Sequence, residues 1–166
     1  MRSLGDLNRE ELIELLHIHG LNWLAHDGCW FLAAEARDGW ERAEELNEAA
    51  WHTFTRVEAR RILRFLGRKP GGGTEALAEA LGFRLYAQVN EQEIVERDDK
   101  RLVFRMKRCR VQETRKRKGL PLHRCKPAGI IEYTGFAETI DPRLRTRCIH
   151  CPPDPGVKAC KWRFEL

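Results

Sequence analysis

Five of the six cysteines follow residue 100, and three of them have the spacing of a metal site. Cys148 and Cys151 are separated by two residues, a spacing at a strand end that presents both sulfurs to one ion. Cys160 follows nine residues after Cys151, across a proline-rich turn at 152–156. The spacing therefore predicts that these three cysteines bracket a hairpin.

A tetrahedral site needs a fourth ligand, and Cys125 is the best candidate. It directly precedes a helix that Pro127 is expected to begin, and the unpaired amides at a helix start favour a thiolate. Four thiolates without an open position indicate a structural zinc site. His150 remains an alternative ligand. An iron–sulfur cluster is the rival cofactor, because Cys151 is followed by proline as in bacterial ferredoxins.

Cys109 is the spare cysteine of this half. A buried structural cysteine is the favoured interpretation. The alternative is a candidate nucleophile, because Arg108 and Arg110 flank it at a predicted helix start and such a position can lower the pKa of a thiol. A cysteine hydrolase also needs a histidine, for which His123 and His26 are the candidates.

The first half of the chain offers candidates for an aromatic-walled pocket. It contains four of the five tryptophans, which alternatively pack a core or the seam of a homodimer. His26 and Asp27 are polar groups that could be aimed into such a pocket. The candidate ligand-binding residues are Trp23, His26, Asp27, Trp30, Cys109 and Arg110.

The charge distribution divides the chain of 166 residues into two regions. Residues 1–100 hold 13 Lys/Arg against 19 Asp/Glu, and residues 101–166 hold 17 against 6, so the halves carry −6 and +11. No apolar run approaches the roughly 18 residues of a membrane span, and the N-terminus lacks the pattern of a signal peptide. A cytoplasmic protein with reduced cysteines is expected, in which metal binding or catalysis explains the cysteines better than disulfides do.

The periodicity predicts an α+β protein. A capping box at Asn8 and Glu11 begins a helical region, with breaks expected at Gly20 and at Asp38–Gly39, and Gly67–Gly73 ends it. Thr74 is expected to cap the next helix. Alternation then predicts strands at 83–89, 93–96, 102–106, 143–149 and 158–166, with helices at 109–118 and 127–140. The expected domains are a helical region, 1–73, as a possible dimerisation element, and an antiparallel sheet with helices on one face, 74–166.

The basic run at 108–118 has three interpretations. A solvated helix face is the default, and a receptor for a carboxylate ligand is the second. Nucleic acid is the third, and it is disfavoured because no aromatic residue interleaves with the run and because the cysteine spacing is not that of a base-reading zinc finger.

The cysteine arrangement resembles the 4-vinyl reductase domain, a small-molecule-binding module that carries zinc in bacterial aromatic sensors. The resemblance covers roughly residues 80–166 and rests on an apolar strand ending near a cysteine (Leu102 to Cys109), Cys125 before a helix, the Cys148/Cys151 pair and Cys160-Lys-Trp-Arg-Phe. In the sensors the position of Cys148 is acidic. The resemblance implies a sensor-like ligand-binding protein with a structural zinc ion.

Most of the chain also resembles bacterial cytosolic proteins related to the L-2-amino-thiazoline-4-carboxylate hydrolase-like family. The stretches are His26-Asp27-Gly-Cys-Trp-Phe31, Glu58-Ala-Arg-Arg61, Cys109-Arg-Val-Gln112, Arg115 to Pro121, Cys125-Lys-Pro127, Glu132 to Phe136 and Ile140-Asp-Pro142. No catalytic residue of that family matches a position here. This resemblance implies the alternative function, a small cysteine-dependent hydrolase, and a nucleic-acid-binding zinc protein is the second alternative.

Overall fold

The computed structural model describes residues 2–166, and two long helices open it. They are α1 (Arg9–Asp38) and α2 (Trp40–Phe65), which meet at Gly39 with a φ of 84°. The predicted capping box is confirmed, because the Asn8 side chain accepts from the Glu11 N–H and the Glu11 carboxylate accepts from the Asn8 N–H, both at 2.9 Å.

The predicted break at Gly20 is wrong, since α1 continues through it. A glycine inside a helix costs only about 1 kcal/mol relative to alanine, which the rest of a long helix offsets. Gly20 is the buried residue of α1 because another segment lies against it: a Cβ there would stand 3.1 Å from Val89 Cγ1. The glycine therefore permits a close approach of the chain rather than a stop.

The predicted strand at 83–89 is also wrong. The segment forms a 3₁₀ helix, Leu85–Gln88, after α3 (Gly73–Gly82). The Arg84 side chain and the Leu85 N–H both donate to the Glu58 carboxylate, each at a distance of 2.9 Å. These two hydrogen bonds hold the segment against α2. Thr74 does not cap α3, whose N-cap is Gly72; its hydroxyl donates instead to the Asp98 carbonyl at 2.6 Å.

Four antiparallel strands form one sheet in the order β1-β2-β4-β3. The remaining elements are β1 (Glu91–Arg97), β2 (Arg101–Arg108), α4 (Arg110–Arg117), α5 (Lys126–Ile140), β3 (Arg145–His150) and β4 (Lys161–Glu165). The predicted hairpin around Asp98 is confirmed, with its carboxylate accepting from the N–H groups of Lys100 and Arg101 at 2.8 Å. Helices followed by this sheet confirm the α+β class.

The core lies between the inner sheet face and α5. Cross-strand rows supply it: Phe104, Trp162 and Cys148 stand opposite one another on three neighbouring strands. Tyr133 of α5 stacks on Trp162 with the ring centroids 4.7 Å apart. Within residues 2–166, no helix combines the length and the apolar character needed to cross a membrane.

Candidate functional site

Three of the cysteines lie where β3 and β4 meet. Cys148 is in β3, opposite Trp162, and His150, the last residue of β3, is paired with Lys161, the first residue of β4. Cys151 and Cys160 are the next residues outward on the two strands, and Cys151 is fully buried. The hairpin predicted from the spacing is therefore confirmed.

The loop after Cys151 is tied to the start of α5, where Cys125 is the N-cap. The Lys126 N–H donates to the Pro152 carbonyl at 2.9 Å, and Lys126 Nζ contacts the Asp154 carboxylate at 2.7 and 3.0 Å. Oδ2 of the same carboxylate also accepts from the Cys151 N–H at 3.1 Å. Backbone and charge contacts thus hold the loop that carries Cys151 against the helix that carries Cys125.

The four cysteines pack at one edge of the hydrophobic core, near enough to influence one another's pKa values. Cys125 and Cys151 both raise the pKa of Cys160, and burial with the nearby Cys151 raises that of Cys148. The interaction between Cys160 and Cys125 lowers the pKa of Cys125 and raises that of Cys160. Burial raises the pKa of Cys148 to about 11. We call these four residues the sulfur cluster.

The sulfur cluster suits a soft metal ion by its donor chemistry, since four thiolates are a preferred ligand set of zinc. The side chains do not already surround one point: within residues 2–166, no three Cys, His, Asp or Glu side chains are grouped so as to hold an ion. The four ligand candidates of the sequence therefore lie at the hairpin and at the start of α5 that packs beside it.

A second set of polar groups surrounds Cys125. Gln112 of α4 clamps the preceding segment: its Nε2 donates to the His123 carbonyl at 2.9 Å and to Cys125 Sγ at 3.1 Å, while its Oε1 accepts from the His123 N–H at 2.9 Å. His123 Nδ1 lies 3.7 Å from Cys125 Sγ, and its Nε2 lies 4.0 Å from Glu44 Oε2. Within residues 2–166, neither Glu44 oxygen has a hydrogen-bond partner, and burial raises its pKa.

A cavity of about 140 Å³ opens beside Cys125, between α1, α2 and the segment from α4 to α5. Its wall is mainly apolar and includes Leu24, Phe31, Trp51, Tyr86, Val111 and Leu120. Its polar groups include Asp27, Arg110, His123, Cys125 and Glu132. Because Cys125 belongs both to this wall and to the sulfur cluster, the cavity and the cluster share a boundary.

The predicted ligand-binding residues divide between the cavity and the outside. Asp27 and Arg110 line the cavity. Trp23 lies behind its wall, stacked at 6.4 Å edge-to-face on Trp51, which does line it. His26 and Trp30 contact each other on an exposed part of α1, and Trp30 remains 68% exposed. Of the four candidates on α1, two therefore lie at or behind the cavity wall and two lie at the surface.

Of the two interpretations of Cys109, the structure supports the buried structural cysteine over the activated thiol. Cys109 is the N-cap of α4, packed against the hydrophobic core, and burial raises the pKa of its thiol to about 12. The guanidinium of Arg108 pairs with Glu113 at 2.6 Å. Cys109 also lies outside the cavity lining.

A buried ion cluster behind the cavity was not foreseen from the sequence. Arg84 is 2% exposed and contacts Glu58 at 2.9 Å and Glu132 at 2.6 Å. Its guanidinium also lies 4.7 Å from the ring centroid of Phe136, over the aromatic core. The available signal was the placement of Glu58 and Glu132 within apolar helical stripes, where an ionised carboxylate requires a buried partner.

Two carboxyl groups of the cavity wall have raised pKa values. Burial is the main cause for both Asp27 and Glu132, and the pKa of Glu132 rises to about 7 although Arg84 opposes the shift. Tyr86 remains a neutral phenol, because burial raises its pKa far above the ordinary value. The guanidinium of Arg110 makes no ion pair within residues 2–166. The backbone N–H of Arg110 donates to the side-chain oxygen of Asn90.

Comparison with protein families gives a match over almost the whole chain, at residues 5–166. The chain belongs to DUF6125, a family of unknown function. No curated protein and no solved structure matches the chain. For this DUF6125 protein, the resemblances to the 4-vinyl reductase domain and to the hydrolase-like family therefore stay predictions.

Proposed function

We propose that this DUF6125 protein binds a small molecule in the cavity and that a structural zinc ion on Cys125, Cys148, Cys151 and Cys160 holds the cavity wall in place. The observation that supports the proposal is the position of Cys125, which belongs to the cavity wall and packs against the same core as Cys151 and Cys160. A metal on the sulfur cluster would connect the start of α5 to both strands of the β3–β4 hairpin at its loop end.

Zinc is the preferred cofactor because it binds four thiolates tetrahedrally and needs no open position for a structural role. Binding of structural zinc contributes on the order of 10–16 kcal/mol in small peptides, against about 5–15 kcal/mol for the stability of a whole domain. An iron–sulfur cluster uses the same ligands and is distinguished by its colour. Either group would fix the hairpin against α5.

The cavity favours a ligand with one ring and a carboxylate. Apolar cavities of about 150 Å³ hold a molecule the size of benzene, and this cavity is about 140 Å³. Arg110 supplies a guanidinium without an ion pair at the wall, and guanidinium groups bind carboxylates through paired hydrogen bonds. The aromatic wall, with Trp51 and Tyr86, contacts the ring.

A homodimer is part of the proposal. The helix α1 leaves several large apolar side chains exposed, among them Leu12, Ile13, Leu16 and Trp30. Contiguous apolar surface of this kind is typical of interaction sites, and a second α1 offers a matching face.

Metal analysis tests the cofactor. We expect about one zinc ion per chain and a colourless protein; Cys148→Ser should lower both the metal content and the thermal midpoint. Cys29→Ser, at an exposed position of α1, is the matched control and should change neither. Visible charge-transfer bands would show that the cofactor is an iron–sulfur cluster and not zinc. A native protein without bound metal would refute a metal at the sulfur cluster.

Titration with benzoate, followed by NMR, tests the cavity. We expect shifts at cavity-lining residues and weaker binding to Arg110→Gln. Arg117→Gln, an exposed change on the same helix, should bind as the wild type does. Benzyl alcohol should bind more weakly than benzoate, because it lacks the carboxylate. Equal binding to both arginine variants would refute the role of Arg110, and shifts confined to the surface would refute the cavity.

A further inference from the structure

The outer face of the sheet, turned away from the helices, is basic. The register places Arg101, Glu165 and Arg145 side by side on β2, β4 and β3, and it places Val103, Arg163 and Arg147 in the next row. Arg105 and Lys161 form the third row. Together with Lys107, two residues beyond Arg105, the basic residues of this face are Arg101, Arg105, Lys107, Arg145, Arg147, Lys161 and Arg163. We call it the basic sheet face.

The basic sheet face contains like charges in direct opposition. Arg147 stands opposite Arg163, and Lys161 stands opposite Arg105. Like charges in such cross-strand positions destabilise a sheet. Nearby acids offset the charge only in part: Glu165 contacts Arg101 and Arg163, each at 3.3 Å, and Glu93 contacts Arg105 and Lys107 from β1. Within residues 2–166, Arg147 and Lys161 enter no ion pair, so this face carries a repulsion that an anion would relieve.

The composition of the basic sheet face distinguishes between macromolecular partners. The cores of protein–protein interfaces are depleted in charged residues, whereas protein–DNA interfaces are strongly positive. Little apolar surface is available on this face for a protein partner. Ile149 is the exposed large apolar side chain of β3, and the outward Val103 of β2 is only 3% exposed. None of the residues in these three rows is Phe, Tyr or Trp, so the face offers no large aromatic platform for stacking unpaired bases.

We propose that the basic sheet face binds the sugar–phosphate backbone of double-stranded nucleic acid, without reading its sequence. This site is separate from the basic run of α4 that the sequence singled out, and it does not depend on the cavity or the sulfur cluster. Backbone binding of this kind has a dissociation constant of about 10⁻⁴ to 10⁻⁶ M at physiological salt, and it weakens steeply as salt releases the counterions.

The test compares two double variants of the full-length protein by fluorescence anisotropy on a mixed-sequence DNA duplex. Arg147→Gln with Lys161→Gln removes two of the cations of the basic sheet face that enter no ion pair within residues 2–166. Arg60→Gln with Arg64→Gln removes two exposed cations of α2 and is matched in charge. A third variant, Lys116→Gln with Arg117→Gln, removes exposed charge from α4.

We expect the sheet variant to weaken binding and to reduce the slope of log K against log salt by about 2, roughly 1 for each phosphate that the protein no longer neutralises. Its unfolding midpoint should be unchanged or higher, because the substitutions remove cross-strand repulsion. The α2 and α4 variants should bind as the wild type does, and shuffling the duplex sequence should not change affinity.

Three outcomes would overturn the proposal. Undiminished binding by the sheet variant, or an equal loss in the α2 variant, would show that the face is not the site. A loss confined to the α4 variant would move the site to that helix. Salt-sensitive self-association that disappears in the sheet variant, without duplex binding, would identify the acidic helical half of a second copy as the partner.

Discussion

The side-chain amide of Gln112 donates a hydrogen bond to Sγ of Cys125 over 3.1 Å, so the helix that borders the cavity also holds one sulfur of the cluster. The same side chain bonds both the N–H and the carbonyl of His123. Gln112 is only 6% exposed, so water cannot readily replace these partners. One residue thus fixes the segment between the cavity and the sulfur cluster.

Gln112→Ala should therefore cost about 2–4 kcal/mol of unfolding free energy, because buried backbone groups of His123 lose their partners. Metal retention should fall with it, since Cys125 is no longer held. Urea unfolding and metal analysis measure both effects. Gln88→Ala removes an exposed amide of the 3₁₀ helix and should leave both unchanged. If Gln112→Ala matched Gln88→Ala, the clamp would contribute nothing.

Glu132 predicts a pH dependence of stability. Burial raises its pKa from the ordinary 4.5 to about 7, so the folded chain holds this proton more tightly than the unfolded chain does. Its contribution to stability is complete below pH 4.5 and is lost as pH rises to about 7. Glu132→Gln cannot ionise and should escape that loss. The difference in unfolding free energy between the variant and the wild type should therefore shift in favour of the variant as the pH rises from 5 to 8.

Urea unfolding at the two pH values measures this difference. Glu138→Gln, a half-exposed carboxyl on the same helix, serves as the control and should show a smaller change. A constant gap between Glu132→Gln and the wild type would show that the proton affinity of Glu132 is the same in the folded and unfolded chains.

Asp141 predicts the opposite dependence. Its fully buried carboxylate accepts from the Gly73 N–H at 2.9 Å and from the Arg143 side chain, whose hydrogen bonds lower the pKa to about 2. The contribution is present above pH 3.8 and is lost as pH falls towards 2. Asp141→Asn should cost about 1–2 kcal/mol at pH 7 and less at pH 3.

Denaturant unfolding at pH 7 and pH 3 measures the two costs. Asp99→Asn, an exposed change in the β1–β2 turn, should cost little at either pH. A cost of Asp141→Asn that did not shrink at pH 3 would assign its role to shape rather than charge.

Gly135 sets the spacing between α5 and α2. A Cβ there would lie 2.8 Å from Cγ2 of the buried Thr55, closer than real Cβ atoms approach, so the helices would have to move apart. Gly135→Ala should destabilise the protein by about 1–3 kcal/mol. Gly28→Ala, where a Cβ meets open space inside α1, should stabilise it by up to about 1 kcal/mol. Thermal unfolding compares the two variants. If both substitutions changed the stability in the same direction, this packing would be contradicted.

Local patterns in the sequence predicted much of the layout. The capping box, the hairpin around Asp98 and the start of α5 beside Pro127 are all observed. Each depends on residues close together in the chain, whose backbone preferences and side-chain bonds act over a few positions. The cysteine spacing belongs to the same class, because Cys148, Cys151 and Cys160 are placed by one hairpin.

Contacts between distant segments decided the rest. Val89 lies against Gly20 and turns a predicted stop into a close approach, and Glu58 bends the predicted strand at Arg84 into a 3₁₀ helix. Burial likewise decides between the two interpretations of Cys109, because it raises the pKa of the thiol. By itself, the sequence determined the fold class and the local grouping of thiols, since periodicity and spacing are local properties. Only the tertiary structure placed Cys125 at the cavity beside Gln112, because burial and long-range hydrogen bonds exist only once the helices pack.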